Sequence, residues 1–257
     1  MPAIKNRFMR GLDLFLISGL VFLFGCTPPG PRALLKGEKL IQQGKWEQAV
    51  LLLQEATQLL PNNAQAWNHL GMAYHGNHQI ELALKCYRTA LSFDRNLAAT
   101  RYNLGCLLLE QNDLAGASEQ LTSFTFLQPS TPLGWLKLGT AQMRNRKFDL
   151  AEKSFKTALE LHANDPEALN NLGLIHLQRK RPQESIAFFN LALEQNPNYG
   201  PALLNLGILN QQNSNTRRQA LQHFKKYLEL QPRPAEWEKV QALASQLESD
   251  LNPPPLQ

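Results

Sequence analysis

The sequence predicts an all-α solenoid, a stack of short helix pairs, on three observations. Six glycines, Gly37, Gly71, Gly105, Gly139, Gly173 and Gly207, recur at steps of 34 residues. A fixed period in this range marks a stacked repeat array. Counted from Gly30, Ala64, Ala98, Pro132, Pro166 and Gly200, apolar residues at positions 4, 7, 8 and 11 share one face of a helix, and those at 20, 24 and 27 share one face of a second. Pro61, Pro129, Pro197 and Pro232 then close four of the six units, because proline lacks an N–H and restricts the residue before it.

The first element lies outside the array. Lys5, Arg7 and Arg10 precede a twelve-residue apolar run, Leu14–Gly25. As a helix it spans roughly 18 Å, short of the ~30 Å hydrocarbon core. That layout fits a secretory signal over 1–25 rather than a membrane span. Leu23-Phe24-Gly25-Cys26 resembles the bacterial lipoprotein processing box, with Phe24 where that family prefers a small residue. The resemblance implies lipidation of Cys26 and cleavage before it. Residues 26–32 would then be a stiff Pro-rich tether. An ordinary signal with a coincidental cysteine, or an uncleaved anchor, is the alternative.

The six units follow near 30–63, 64–97, 98–131, 132–165, 166–199 and 200–234. The second is the most complete, with Trp67, Leu70, Gly71, Tyr74, Ala83, Tyr87 and Ala90 all in place. Glycine inside a helix costs about 1 kcal/mol against alanine. Its recurrence predicts close approach of the paired helix, with alanine as the expected facing residue. The first unit has Lys36 where the others have Leu, as a terminal cap would. The sixth has one extra residue in the turn Asn210–Thr216, which should bulge outward. Trp237, Val240, Leu243, Ala244, Leu247 and Leu251 keep a helical period and predict a capping helix over 235–251. Residues 252–257 read as a disordered tail.

These marks resemble the tetratricopeptide repeat (TPR), over about 205 of the 257 residues. The resemblance implies a right-handed superhelical solenoid of six TPR helix pairs plus a C-terminal capping helix. It also implies that the first helices line a concave groove for a protein or peptide segment. No single unit can bury its apolar face alone, so the units must stack.

Composition excludes several classes. A net charge of +5, from 26 Lys and Arg against 21 Asp and Glu, is too diffuse to mark a nucleic-acid binder. Three cysteines rule out a disulfide-stapled scaffold and argue against a Cys-rich zinc fold. There is no phosphate loop, G-x-S-x-G elbow or H-E-x-x-H. The six histidines are scattered or badly spaced for a metal. The reading is therefore non-enzymatic, with no cofactor, metal or nucleic acid.

Candidate groove residues are Asn68, His69, Met72, Asn103, Cys106, Lys137, Met143, Asn170, Asn171, Leu174, Asn205 and Ile208. Asparagine offers two donors and an acceptor, which match a peptide unit. The column at position 6 (Asn103, Asn171, Asn205) admits two readings, a ladder for an extended backbone or ordinary polar surface. A second candidate is a basic edge at the turns within units four and five: Arg144, Arg146, Lys147, Arg179, Lys180 and Arg181, with Arg217 and Arg218 near the turn of unit six. It suits an anionic lipid surface or acidic partner; the plainer reading is cations placed at helix C-termini. Cys86 and Cys106 are expected to be independent thiols.

Together these predict a lipid-anchored scaffold that binds a protein partner in its groove and assists assembly of a cell-envelope complex. Its layout is like that of the pilotin lipoproteins of type IV pili. It would sit at a bacterial membrane, on the periplasmic side of the outer one in a Gram-negative cell. The alternative is a self-associating structural subunit of an envelope assembly.

Overall fold

The computed structural model describes residues 28–252. The expected signal, Cys26 and the residues after 252 lie outside that range. Among the described residues there are thirteen α-helices and no strand. They divide after Asp94 into two compact units.

Unit 1 holds two helix pairs: α1 (Pro29–Gln42) with α2 (Trp46–Leu59), and α3 (Ala64–Gly76) with α4 (Ile80–Phe93). Unit 2 holds four more: α5 (Ala98–Glu110) with α6 (Leu114–Leu127), α7 (Pro132–Arg144) with α8 (Phe148–Leu161), α9 (Pro166–Gln178) with α10 (Pro182–Gln195), and α11 (Gly200–Gln211) with α12 (Arg217–Leu228). It ends in α13 (Trp237–Leu251). Within each unit the second helix of a pair also packs on the first helix of the next, as in α2 on α3, α6 on α7, α8 on α9 and α10 on α11. Within unit 2 the first helices also approach one another, α5 to α7 and α7 to α9.

The periodic glycines explain this packing, with one correction. The facing residue is not the small one. A Cβ on Gly37, Gly71, Gly105, Gly139 or Gly173 would come within 2.5–2.7 Å of Leu53, Tyr87, Leu121, Phe155 or Phe189, the position-24 side chain of the paired helix, and Gly207 meets Phe224 more closely still. Glycine therefore makes room for a ring or a leucine. The position-20 and position-27 alanines, such as Ala151 and Ala158, are buried in the same interior without meeting the glycine. Reading one helix face at a time could not show which of its three marks stands opposite the glycine.

Other residues bind pair to pair. Asn63, Asp113 and Asp165 accept the N–H of Ala66, Gly116 and Ala168, each at 2.9 Å, as helix N-caps. The indole N–H groups of Trp67 and Trp135 donate to the carbonyls of Pro61 and Pro129 at 2.7 Å. Each ties a first helix to the turn that precedes it. Arg101 does the same to the Arg95 carbonyl at 2.9 Å.

The turn inside each pair hides a second 34-residue rule. Gly44, His78, Asn112, Arg146 and Lys180 all have positive φ, between 57° and 69°. Glycine adopts this left-handed conformation freely, and asparagine and histidine more readily than most; Arg and Lys do so at a cost. The sixth pair departs from the rule. Its extra residue is taken up by a 3-10 turn, Ser214–Thr216, whose Thr216 hydroxyl donates to the Asn210 carbonyl at 2.7 Å. At the C-terminal end Val240, Ala244 and Leu247 of α13 pack on Leu203, Phe224 and Tyr227. The Trp237 indole N–H donates to the Leu228 carbonyl at 2.9 Å, under the Arg233 guanidinium.

Candidate functional site

In unit 1, Asn68 is buried on α3 and its amide donates to the Met72 sulfur at 3.7 Å. His69 is half-buried, and its Nδ1 is buried without a hydrogen-bond partner. Burial lowers the His69 pKa below its ordinary value of 6.5, against the opposing pull of Glu38.

Unit 2 brings more of the candidates together, on the face made by its first helices. Asn103 and Cys106 are half-buried on α5. The Cys106 thiol is hydrogen-bonded to the Tyr102 hydroxyl, and burial raises the pKa of both groups. Lys137 on α7 reaches Glu167 on α9 at 3.5 Å. Asn170 and Asn171 on α9 are both buried. The Asn205 amide of α11 donates to the Asn170 carbonyl oxygen at 2.9 Å. Position 6 of one repeat is thus joined to position 5 of the repeat before it. Beside this pair lies a hollow of about 420 Å³, lined by Leu174, Leu204, Tyr227 and Glu236 among others. The Tyr227 hydroxyl donates to Glu236 at 2.9 Å, and burial with that carboxylate pushes its pKa up to about 12. Ile208 is exposed on α11. Met143 packs against the core built from Phe155, Leu172 and Ile175.

The hollow therefore offers a linked amide pair, apolar walls and one carboxylate. An extended segment would find amide partners along one side and room for an apolar side chain on the other. Sequence reasoning missed Leu204, Tyr227 and Glu236. Leu204 stands at position 5, the same station as Asn170, so a signal for it existed. Tyr227 and Glu236 come from α12 and the segment before α13, whose approach to α9 no repeat pattern announces.

The cations of the candidate basic edge divide into two groups. Arg144 turns back onto the preceding pair, donating to the Leu109 carbonyl at 3.0 Å and to the Asn112 side-chain oxygen at 2.9 Å. Arg179 turns back in the same way and grips Asp149 and Glu152. Hydrogen bonds from Lys156 and Arg179 hold Glu152 down at about 2. These two arginines close successive repeats on each other. Arg146, Lys147, Lys180, Arg217 and Arg218 are exposed and form no ion pair, while Arg181 lies 3.7 Å from Glu184.

Cys86 is buried and Cys106 half-buried, both as free thiols; burial pushes the Cys86 thiol up to about 11. Among the described residues no group of three His, Cys, Asp or Glu could hold a metal, and no helix is long and apolar enough to cross a membrane.

Models of the tetratricopeptide repeat match residues 64–97 and 136–200, and a model of the TPR repeat matches 37–77. The repeats are tetratricopeptide repeats. The TPR chain is 28% identical over 190 residues to the type IV pilus assembly protein PilF of Pseudomonas aeruginosa, which covers 67% of this chain and 75% of that protein. The solved structure of Pseudomonas aeruginosa pilF superposes with a TM-score of 0.69 at 22% identity, covering 84% of this chain and 97% of that one. MamA from Desulfovibrio magneticus gives 0.63 at 15% identity, covering 68% and 99%. These structural likenesses bear on the TPR fold, which they share with this chain.

Proposed function

We propose that this chain is a lipid-anchored, non-enzymatic TPR scaffold that holds an extended protein segment against the first-helix face of unit 2 and so assists assembly of an envelope complex. The observation that carries the binding reading is the Asn205–Asn170 bond beside the Leu174–Leu204 hollow. Amides already aligned across two repeats need little ordering to receive a backbone, which favours binding. The envelope reading is supported by the signal-like run over 1–25 that precedes Cys26 and by the likeness to a type IV pilus assembly protein. Acyl chains on Cys26 would hold the protein at a bacterial membrane, on the periplasmic side of the outer membrane in a Gram-negative cell.

The test compares full-length wild type with Asn170→Ala/Asn205→Ala in affinity capture from solubilised membranes. Wild type should retain an envelope protein that the double variant loses. Capture of no envelope protein above background, or equal capture by both, overturns the groove reading. Acyl-chain labelling of wild type against Cys26→Ala tests the anchor separately. Label that survives loss of the cysteine would refute lipidation there.

A further inference from the structure

The cations exposed at the turns of unit 2 share one place in the repeat. Arg146 and Lys147 immediately precede α8, Lys180 and Arg181 immediately precede α10, and Arg217 and Arg218 open α12. A helix N-terminus carries partial positive charge, so a cation there is repelled. The third repeat shows what the same station holds when stability alone is served. There Asn112 takes the left-handed turn, and Asp113 caps α6 through the Gly116 N–H. Repeats four and five instead hold arginine and lysine at positive φ, 59° and 60°, each followed by a second cation at the N-cap. The same turns also follow the C-termini of α7 and α9, whose last carbonyls accept the N–H groups of Arg146, Lys147, Lys180 and Arg181, so the favourable and unfavourable dipole effects on these cations offset. One unfavourable term, an arginine or lysine in the left-handed conformation, recurs at two turns, with a third cation pair in sequence beyond them. A backbone cost that persists in this way, on side chains left exposed, points to a use outside the fold.

We infer that this edge of unit 2 docks on an anionic lipid surface. The cations are paired on projecting turn tips and repeat from one helix pair to the next, which reads density of charge rather than a sequence. Apolar side chains stand among them: Leu150, 47% exposed in the first turn of α8, and Phe148, half-buried beside it. Long cationic stems flanking exposed apolar groups suit the boundary between headgroups and acyl chains. The acidic residues nearby face cations of the same edge: Asp149 contacts Arg179, and Glu184 lies 3.7 Å from Arg181. The inference stands on the edge alone and does not depend on the groove or on acylation of Cys26.

The experiment uses the full chain with Cys26→Ser, so that no acyl chain contributes. It is sedimented with phosphatidylcholine vesicles, with and without phosphatidylglycerol. Neutral vesicles measure the apolar contribution of the leader, and the fourfold variant below, whose Lys5, Arg7 and Arg10 are unchanged, measures its cationic one. We expect stronger partition onto the anionic vesicles, weakened by added salt. The variant Arg146→Asn/Lys147→Gln/Lys180→Asn/Arg181→Gln should lose that excess by at least about tenfold while melting no lower than its parent, since asparagine suits the left-handed turns. Arg144→Gln/Arg179→Gln should melt lower yet keep its vesicle binding. Equal partition onto both vesicle types, or full binding by the fourfold variant, overturns the inference. Retention on immobilised polyglutamate without any anionic-lipid excess would overturn it in favour of an acidic protein partner.

Discussion

Gly173→Ala tests the packing rule most directly. In an exposed helix interior, glycine to alanine stabilises by about 1 kcal/mol. Here the new Cβ would stand 2.5 Å from Cε1 and 2.7 Å from Cδ1 of Phe189. That ring is fully buried and lies in the core with Leu169, Ala192, Ala202 and Leu206, so it has nowhere to retreat. Overpacking of this kind costs about 1–3 kcal/mol. The net expectation is destabilisation of up to about 2 kcal/mol after the helix gain is subtracted. Phe189→Ala alone should cost about 3–5 kcal/mol through the cavity it leaves. In that background the clash is absent, and Gly173→Ala should become stabilising by about 1 kcal/mol. Urea unfolding of the four proteins, followed by circular dichroism, closes the double-mutant cycle. A stabilising Gly173→Ala in the native background would refute the claim that glycine is there to admit the ring. So would a cycle in which its effect is the same with and without Phe189.

Three further outcomes are expected. Lys180→Asn should raise stability by about 0.5–1 kcal/mol by relieving the left-handed backbone at φ 60°, and Asn112→Lys should lower it; thermal melts check both. Ser154→Ala removes the donor to the buried Gln142 oxygen, bonded at 2.7 Å, and should cost about 1–3 kcal/mol, whereas Ser154→Ala/Gln142→Leu should recover most of that loss in urea midpoints. Burial depresses the pKa of His69 and His223, so the unfolded chain takes up those protons first. Stability should be complete above the ordinary 6.5 and fall as pH drops through it toward the folded values. His69→Asn/His223→Gln should flatten that part of the profile, as read from urea midpoints at about pH 7.5 and about pH 5.5. A separate loss should begin near 4.5 and end near 2 as Glu152 is protonated in the folded state.

What could be read from residues alone follows from which signals are local. Helix positions were legible because glycine, alanine and apolar residues repeat on a helical face, and proline sits just beyond α2, α6 and α10. The partner of each glycine was not, because register between two helices depends on both. The left-handed station was hidden because five different residue types occupy it, and only Gly44 and Asn112 carry the usual signature. The 34-residue rhythm runs unbroken across the division after Asp94, so nothing in the spacing announced two units. The asparagine column was visible as a column. That its bond in repeats five and six runs from Asn205 to Asn170 rather than to Asn171 required the offset between neighbouring helices.

A repeat protein supplies its own control experiment, because each station is occupied several times in one chain. Where all copies obey the same rule, as at the glycine and the large apolar side chain opposite it, stacking is sufficient explanation. Where copies diverge, the copies that still serve stability show what the others give up. Asn112–Asp113 is a well-formed helix entry; Arg146–Lys147 and Lys180–Arg181 are the same entry made worse. On the first-helix face, Asn170 bonds across a repeat boundary beside a hollow. Both features lie in unit 2, one on the first-helix face and one at the turns. The proposed segment-binding face and the proposed lipid-facing edge share no residues, so one unit could serve both at once.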